Sequence, residues 1–122
     1  MKPDRVVIGA DSKYAIEKMK QLLKLLAEQL SIEFIDLVGF KINTTAALTL
    51  SEMNARRLRA LVIDEKDDHF LVVMADPTDL DKYDQLQEKL SKPVNLCVAI
   101  ESEILANIDA LYLSTSEISS LA

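Results

Sequence analysis

An α+β (mixed α/β) fold is predicted, a small mixed sheet with an antiparallel hairpin at about 60–75 and one parallel β-α-β crossover at about 70–100, flanked by N- and C-terminal helices. Three observations carry it. Phe70 to Ala75 is a continuous apolar run, as in a strand covered on both faces. Leu80, Tyr83, Leu86 and Leu90 then recur at helical spacing, in a stripe kept narrow by Gln87. Val94, Leu96, Val98 and Ile100 alternate with Asn95, Cys97 and Ala99, so a second strand follows. If the two strands share a sheet in parallel, the crossover is right-handed.

The elements follow in chain order. Val6, Val7 and Ile8 form a short apolar piece ended by Gly9, and Ser12 is placed to cap a helix. Ala15, Ile16, Met19, Leu22, Leu23, Leu26 and Leu30 predict a long amphipathic helix over 13–30. Leu25 widens its apolar face, which points to burial on more than one side or to a partner surface. Glu33 to Val38 reads as a short strand broken by Gly39. Asn43 can cap a helical turn over Thr44 to Leu48, and Ser51 a second helix through about Arg59, with Glu52 in its first turn. Leu61 to Ile63 is a strand, 64–69 a polar turn, and Phe70 begins the returning strand. Asp76 is placed to cap the crossover helix, with Pro77 at its first position and Asp79 near its positive end. Lys92-Pro93 closes that helix, since the residue before a proline avoids the helical region. Ser102 is placed to cap a last helix carrying Ile104, Ile108, Leu111 and Tyr112. The Ser-rich residues 114–122 read as a tail or the start of a linker.

A chain of 122 residues is one domain by size, able to bury roughly two thirds of its unfolded surface. No apolar run approaches the ~20 residues that span a bilayer, and no signal peptide opens the sequence, which implies no direct membrane insertion. A single cysteine, Cys97, excludes an internal disulfide and a cysteine-cluster zinc site, and the simple reading is a cytoplasmic protein. The formal charge of −6, gathered in 64–68 and 76–84, argues against nucleic acid as a partner, because phosphates need a basic face.

No constellation specifies catalysis. Gly9 and Gly39 are the only glycines, and the segment Ile8 to Lys13 lacks the first glycine and the Gly-Lys pair of a phosphate cradle. His69 stands beside Asp67 and Asp68 at a hairpin tip without a second ligand set, which reads as a solvated turn rather than a metal site. Cys97 reads as a small buried hydrophobe. Arg56, Arg57 and Arg59 form the one dense basic cluster. It is either a site for a phosphate or acidic partner, or a set of ion pairs whose stems cover apolar surface. No catalytic, metal or cofactor residue is assigned.

Leu26-Ala27-Glu28-Gln29-Leu30, Phe34-Ile35-Asp36-Leu37 and Ala55-Arg56-Arg57 occur in that order, followed by Leu71 to Leu80, Glu101 to Ile104 and Leu111-Tyr112. This ordered set, over about residues 22–113, resembles the N-terminal domain of type II secretion ATPases and their type IV pilus assembly relatives, the domain also called MshEN. The Ala-Asp-Pro-Thr-Asp-Leu piece at 75–80 is its most specific part. The resemblance implies one domain over 1–113, with a helical part at 1–30 and an α/β part at 31–113. It also implies a non-catalytic docking role, joining an ATPase motor fused downstream to the cytoplasmic part of an inner-membrane platform protein. The chain would then lie in the cytoplasm, peripheral to that membrane through its partner. Tyr14 and Met19, with Arg56 and Arg57, are the candidate docking residues. Some family members bind cyclic di-GMP through two tandem copies of a motif opening with Arg-Leu-Gly. That tripeptide is absent here, Arg5 being followed by Val6 and Val7, and the motif's later glycine has no counterpart around Ala15-Ile16. No nucleotide-binding residue is carried over. The alternative function is a cyclic-dinucleotide sensor, with Arg5, Arg56 or Arg57 on the phosphates.

Overall fold

The computed structural model describes the backbone of residues 3–121 and the side chains of residues 14–113. Helix α1 (Pro3–Leu30) leads into β1 (Glu33–Phe34), and the short helices α2 (Thr44–Ala47) and α3 (Glu52–Leu58) follow. The hairpin strands β2 (Ala60–Glu65) and β3 (Phe70–Met74), the crossover helix α4 (Leu80–Lys89), β4 (Val94–Val98) and α5 (Glu101–Leu121) complete the chain. The strands form one mixed sheet in the order β1-β4-β3-β2. Strand β3 pairs β2 antiparallel from Glu65↔Phe70 to Ala60↔Met74, and pairs β4 parallel from Phe70↔Val94 to Met74↔Val98. Strand β1 adds a parallel edge through Glu33↔Cys97 and Phe34↔Val98. The predicted α+β class, hairpin and parallel crossover are all present.

Burial explains the arrangement. Val72, Val73 and Met74 of β3 and Ala60 to Ile63 of β2 are fully buried, as expected of strands covered on both faces. Leu86 of α4, Leu58 of α3, and Ile104 and Ile108 of α5 close over them. The register slips between Val62 and Asp64, so Ile63 is a bulged residue, and its carbonyl accepts from the Asn43 amide (2.9 Å). That bond docks α2 beside the β2 edge, and the Asn43 side chain caps α2 by accepting from the Ala46 amide (3.1 Å). The buried Cys97 thiol is pushed up to about 11, mainly by desolvation. At pH 8 a thiol reagent should therefore label the folded chain far more slowly than the urea-unfolded one, and equal rates would contradict this packing.

Several boundaries differ from the sequence expectations. Helix α1 begins at Pro3 rather than near 13, so Val6 to Gly9 belong to the helix. The Ser12 side chain, and with it the proposed cap, lies outside the described residues. Strand β1 stops at Phe34 instead of running to Val38. Its continuation is diverted because the Leu37 amide donates to Glu103 (3.3 Å) and the Val38 amide to Asp36 (3.1 Å), before Gly39 turns at φ +83°.

Asp76 does not cap α4. Its carboxylate accepts from the Thr78 amide (3.1 Å) in a turn, and Asp79 caps the helix by accepting from the Lys82 amide (3.1 Å). The helix therefore starts at Leu80, which is 71 % exposed, and the inward stripe is Tyr83, Leu86 and Leu90. Asp79→Ala should destabilise the fold by about 1 kcal/mol in urea unfolding, whereas Asp76→Ala should cost less. Helix α5 begins at Glu101, placing Ser102 inside it, and continues to Leu121 through the Ser-rich segment read as a tail. Strand β4 ends at Val98, short of the expected Ile100.

Candidate functional site

The three arginines are partnered within the fold. Arg56 Nε meets Glu52 (2.9 Å) on its own helix, and its guanidinium reaches Asp109 of α5 (2.7 Å). Those carboxylates, Asp109 first, hold the Arg56 guanidinium above its ordinary value. Arg57 donates to Gln85 of α4 and to Asn54 (2.9 Å). Arg59 pairs with Glu101 (2.5 Å), while its carbonyl accepts from the Ala75 amide (3.0 Å). Arg59 holds the left-handed conformation (φ 50°) that ends α3, a place glycine commonly takes. The cluster thus ties α3 to α4 and α5, which favours the ion-pair reading over a phosphate site.

Tyr14 and Met19 lie on a different surface. Helix α1 seats on the sheet through Ala27, with Leu23 and Leu26 half-buried. Ile16 and Met19 continue the same stripe toward the N-terminus, three and four residues apart, where less of the body covers them. Tyr14, Leu22 and Leu25 form a second stripe that is 65 %, 55 % and 57 % exposed. The helix is held at its side by Lys20, whose ammonium meets Asp36 (3.1 Å). That contact first, then the Val38 amide, holds the Asp36 carboxyl below its ordinary value. Its stabilising effect is complete above the unfolded pKa and is lost as pH falls through the lower folded one. Asp36→Asn should therefore flatten the acid limb of the stability profile below about pH 4, as read by thermal melts.

Met19 and Leu23 also wall a groove of about 420 Å³ against Ile100, Ser102 and Leu105 at the start of α5. Through Ala75 and Glu101 it continues into a polar pocket of about 260 Å³ lined by Arg59, Asp76 and Lys82. This is the carboxyl end of the parallel strands β3 and β4, the side on which open α/β sheets hold ligands. Its charges, two cations and two carboxylates, are balanced. Arg56 lines another depression with Glu52, Asp109, Tyr112 and Leu113, so the structure separates the α1 candidates from the α3 arginines.

The arrangement can bind but has no nucleophile–base pair. Among the described residues no His/Cys/Asp/Glu group could hold a metal ion, and His69 meets only Asp68 (2.7 Å). Among them, too, no helix is long and apolar enough to cross a membrane. Leu22 and the groove were missed in the sequence as site features. The one signal was that α1 carries more leucines than one face can bury.

The MshEN domain family model matches residues 30–118. The structure of MshE with cdg is 38% identical, with a TM-score of 0.72, covering 75% of this chain and 67% of that one. The N-terminal domain of XpsE, in a first crystal form, is 20% identical with a TM-score of 0.61, covering 76% of this chain and 64% of that one. A second crystal form gives 22% and 0.57, over 68% of this chain and 59% of that one. The two XpsE likenesses speak for the fold alone. No curated protein matches the chain.

Proposed function

Because this chain belongs to the MshEN domain family, the N-terminal domain of type II secretion and type IV pilus assembly ATPases, we propose that it docks such an ATPase onto its inner-membrane platform protein. The domain itself is not the motor. One observation supports docking above the others: α1 leaves Tyr14, Met19, Leu22 and Leu25 exposed along one side of a helix that the body only half covers. Helix faces of this kind bury themselves against a partner. In this reading residues 1–113 are the domain, 114–122 lead toward a motor, and the chain lies in the cytoplasm against the membrane-bound platform. Tyr14 and Met19 make the contact, while Arg56 and Arg57 contribute only by holding α3 in place. Mixing the chain with the cytoplasmic part of the platform protein should give a complex by gel filtration at tens of micromolar. Two unshifted peaks at high micromolar concentration would sink the proposal.

A second reading, cyclic di-GMP sensing, draws on the 38% identity to MshE solved with cdg. Against it stand the absent Arg-Leu-Gly and the carboxylate and amide partners already holding Arg56 and Arg57. Calorimetry separates the readings, and a silent titration is the expected result.

A further inference from the structure

Helix α1 adds almost nothing to the core. From Tyr14 to Leu30 its one buried residue is Ala27, 3 % exposed. No described residue of α1 joins the apolar cluster that unites the sheet with α2 to α5. The helix meets the body along β1 and β4, and its polar ties among the described residues are surface contacts. Lys20 reaches Asp36 (3.1 Å), and the Lys24 ammonium lies over the Phe34 ring (5.8 Å). Contacts of this kind, open to water and salt, hold little. The joint to the sheet is short. Ser31 is left-handed (φ 59°), where glycine is usual; its amide donates to the Glu28 carbonyl (3.2 Å) and the Ile32 amide to that of Ala27 (2.9 Å). The helix is thus closed off before β1 begins at Glu33, and the β1–β4 ladder stays intact when α1 tilts away.

We propose that α1 is a strap hinged at Ser31 and Ile32, which lifts off the carboxyl end of the sheet while the core stays folded. Lifting removes the Met19 and Leu23 wall of the groove and uncovers Ile100, only 4 % exposed, and the half-buried Leu105. A segment with so few buried contacts opens at a fraction of the free energy of global unfolding, and elements that gate surfaces are drawn from that class. Off the body, a helix of this length is marginal in water, so its amides lose protection together. A ligand or partner that favours either position of the strap shifts the balance between them. The proposal goes beyond the docking reading and is tested on the chain without a partner.

The test is hydrogen exchange of the full chain, followed amide by amide by NMR in urea well below the unfolding midpoint. Amides from Leu22 to Leu30 should exchange about a hundredfold or more faster than those of Val72, Val73 and Val98. Their rates should depend little on urea, while the sheet amides follow the urea dependence of global unfolding. Leu61→Ala lies in β2, at the sheet edge away from α1, and removes a buried side chain. It should speed the sheet amides by about thirtyfold or more and leave the α1 amides within about twofold. Ile63→Val is the milder companion should Leu61→Ala fail to fold, with a sheet effect of about two- to tenfold. One shared, urea-dependent rate for α1 and the sheet would make α1 part of the core and overturn the proposal. So would an α1 response to the β2 variants that matches the response of the sheet. A gradient of rates rising toward Tyr14, with Leu26 to Leu30 as slow as the sheet, would mean end fraying and overturn it as well.

Discussion

Ile104→Ala is expected to cost about 3–4 kcal/mol of unfolding free energy, the largest effect of any single truncation considered for this chain. Ile104 is fully buried on the first turns of α5, which packs against β2, β3 and α3. Removing three carbons there loses transfer free energy and leaves a cavity that the flanking strands cannot collapse to fill, because Val62, Val72 and Val73 are pinned in the ladder. The variant's melting temperature should fall by roughly 10–15 °C, with an unchanged urea m-value. Leu113→Ala on the same helix, at a residue 62 % exposed, should shift stability by less than about 0.5 kcal/mol. Similar losses at both positions would mean that α5 does not pack on the sheet through its Ile104 face.

The second large effect concerns binding rather than folding. Leu22→Gln with Leu25→Gln should leave stability within about 1 kcal/mol, since both side chains are more than half exposed and glutamine is a good helix former. Affinity for the platform's cytoplasmic part should nevertheless drop roughly a hundredfold or more, because two anchors that bury on docking are lost. The double change keeps the formal charge, so the loss reports apolar contact alone. Arg56→Gln should instead lower stability modestly by freeing Asp109 and Glu52, with little change in affinity.

Most of the sheet was legible because its signals are local. The apolar run at 70–75, the polar turn after β2 and the alternation from Val94 are each set within a few residues, and the two runs became β3 and β4 on either side of the crossover helix. The helix caps were less legible. Asp76 and Asp79 both suit an N-terminus, and the choice fell to a turn in which Thr78 occupies the Asp76 carboxylate. The shortness of β1 could not be read at all, since Glu103, far along the chain, takes the Leu37 amide.

The site was legible only in outline. Tyr14 and Met19 belong to an exposed helix side, as the widened apolar face suggested, yet the groove depends on α5 returning to lie beside α1 at Leu105 and Ser102. The arginine cluster reads as basic in sequence and is largely satisfied in space, because Asp109, Gln85 and Glu101 arrive from distant helices. The matched family span begins at residue 30, and the exposed stripe from Tyr14 to Leu25 precedes it. The proposed docking face therefore rests on the physical chemistry of α1 itself.

In the proposed function, α1 is the docking surface of this domain. Amide chemical shifts of the isotope-labelled chain, titrated with the cytoplasmic part of the platform protein, test it residue by residue. The largest perturbations are expected between Tyr14 and Leu25, with smaller ones at Ser102 and Leu105 across the groove. Perturbations confined to α4 and the hairpin tip, with α1 silent, would contradict it.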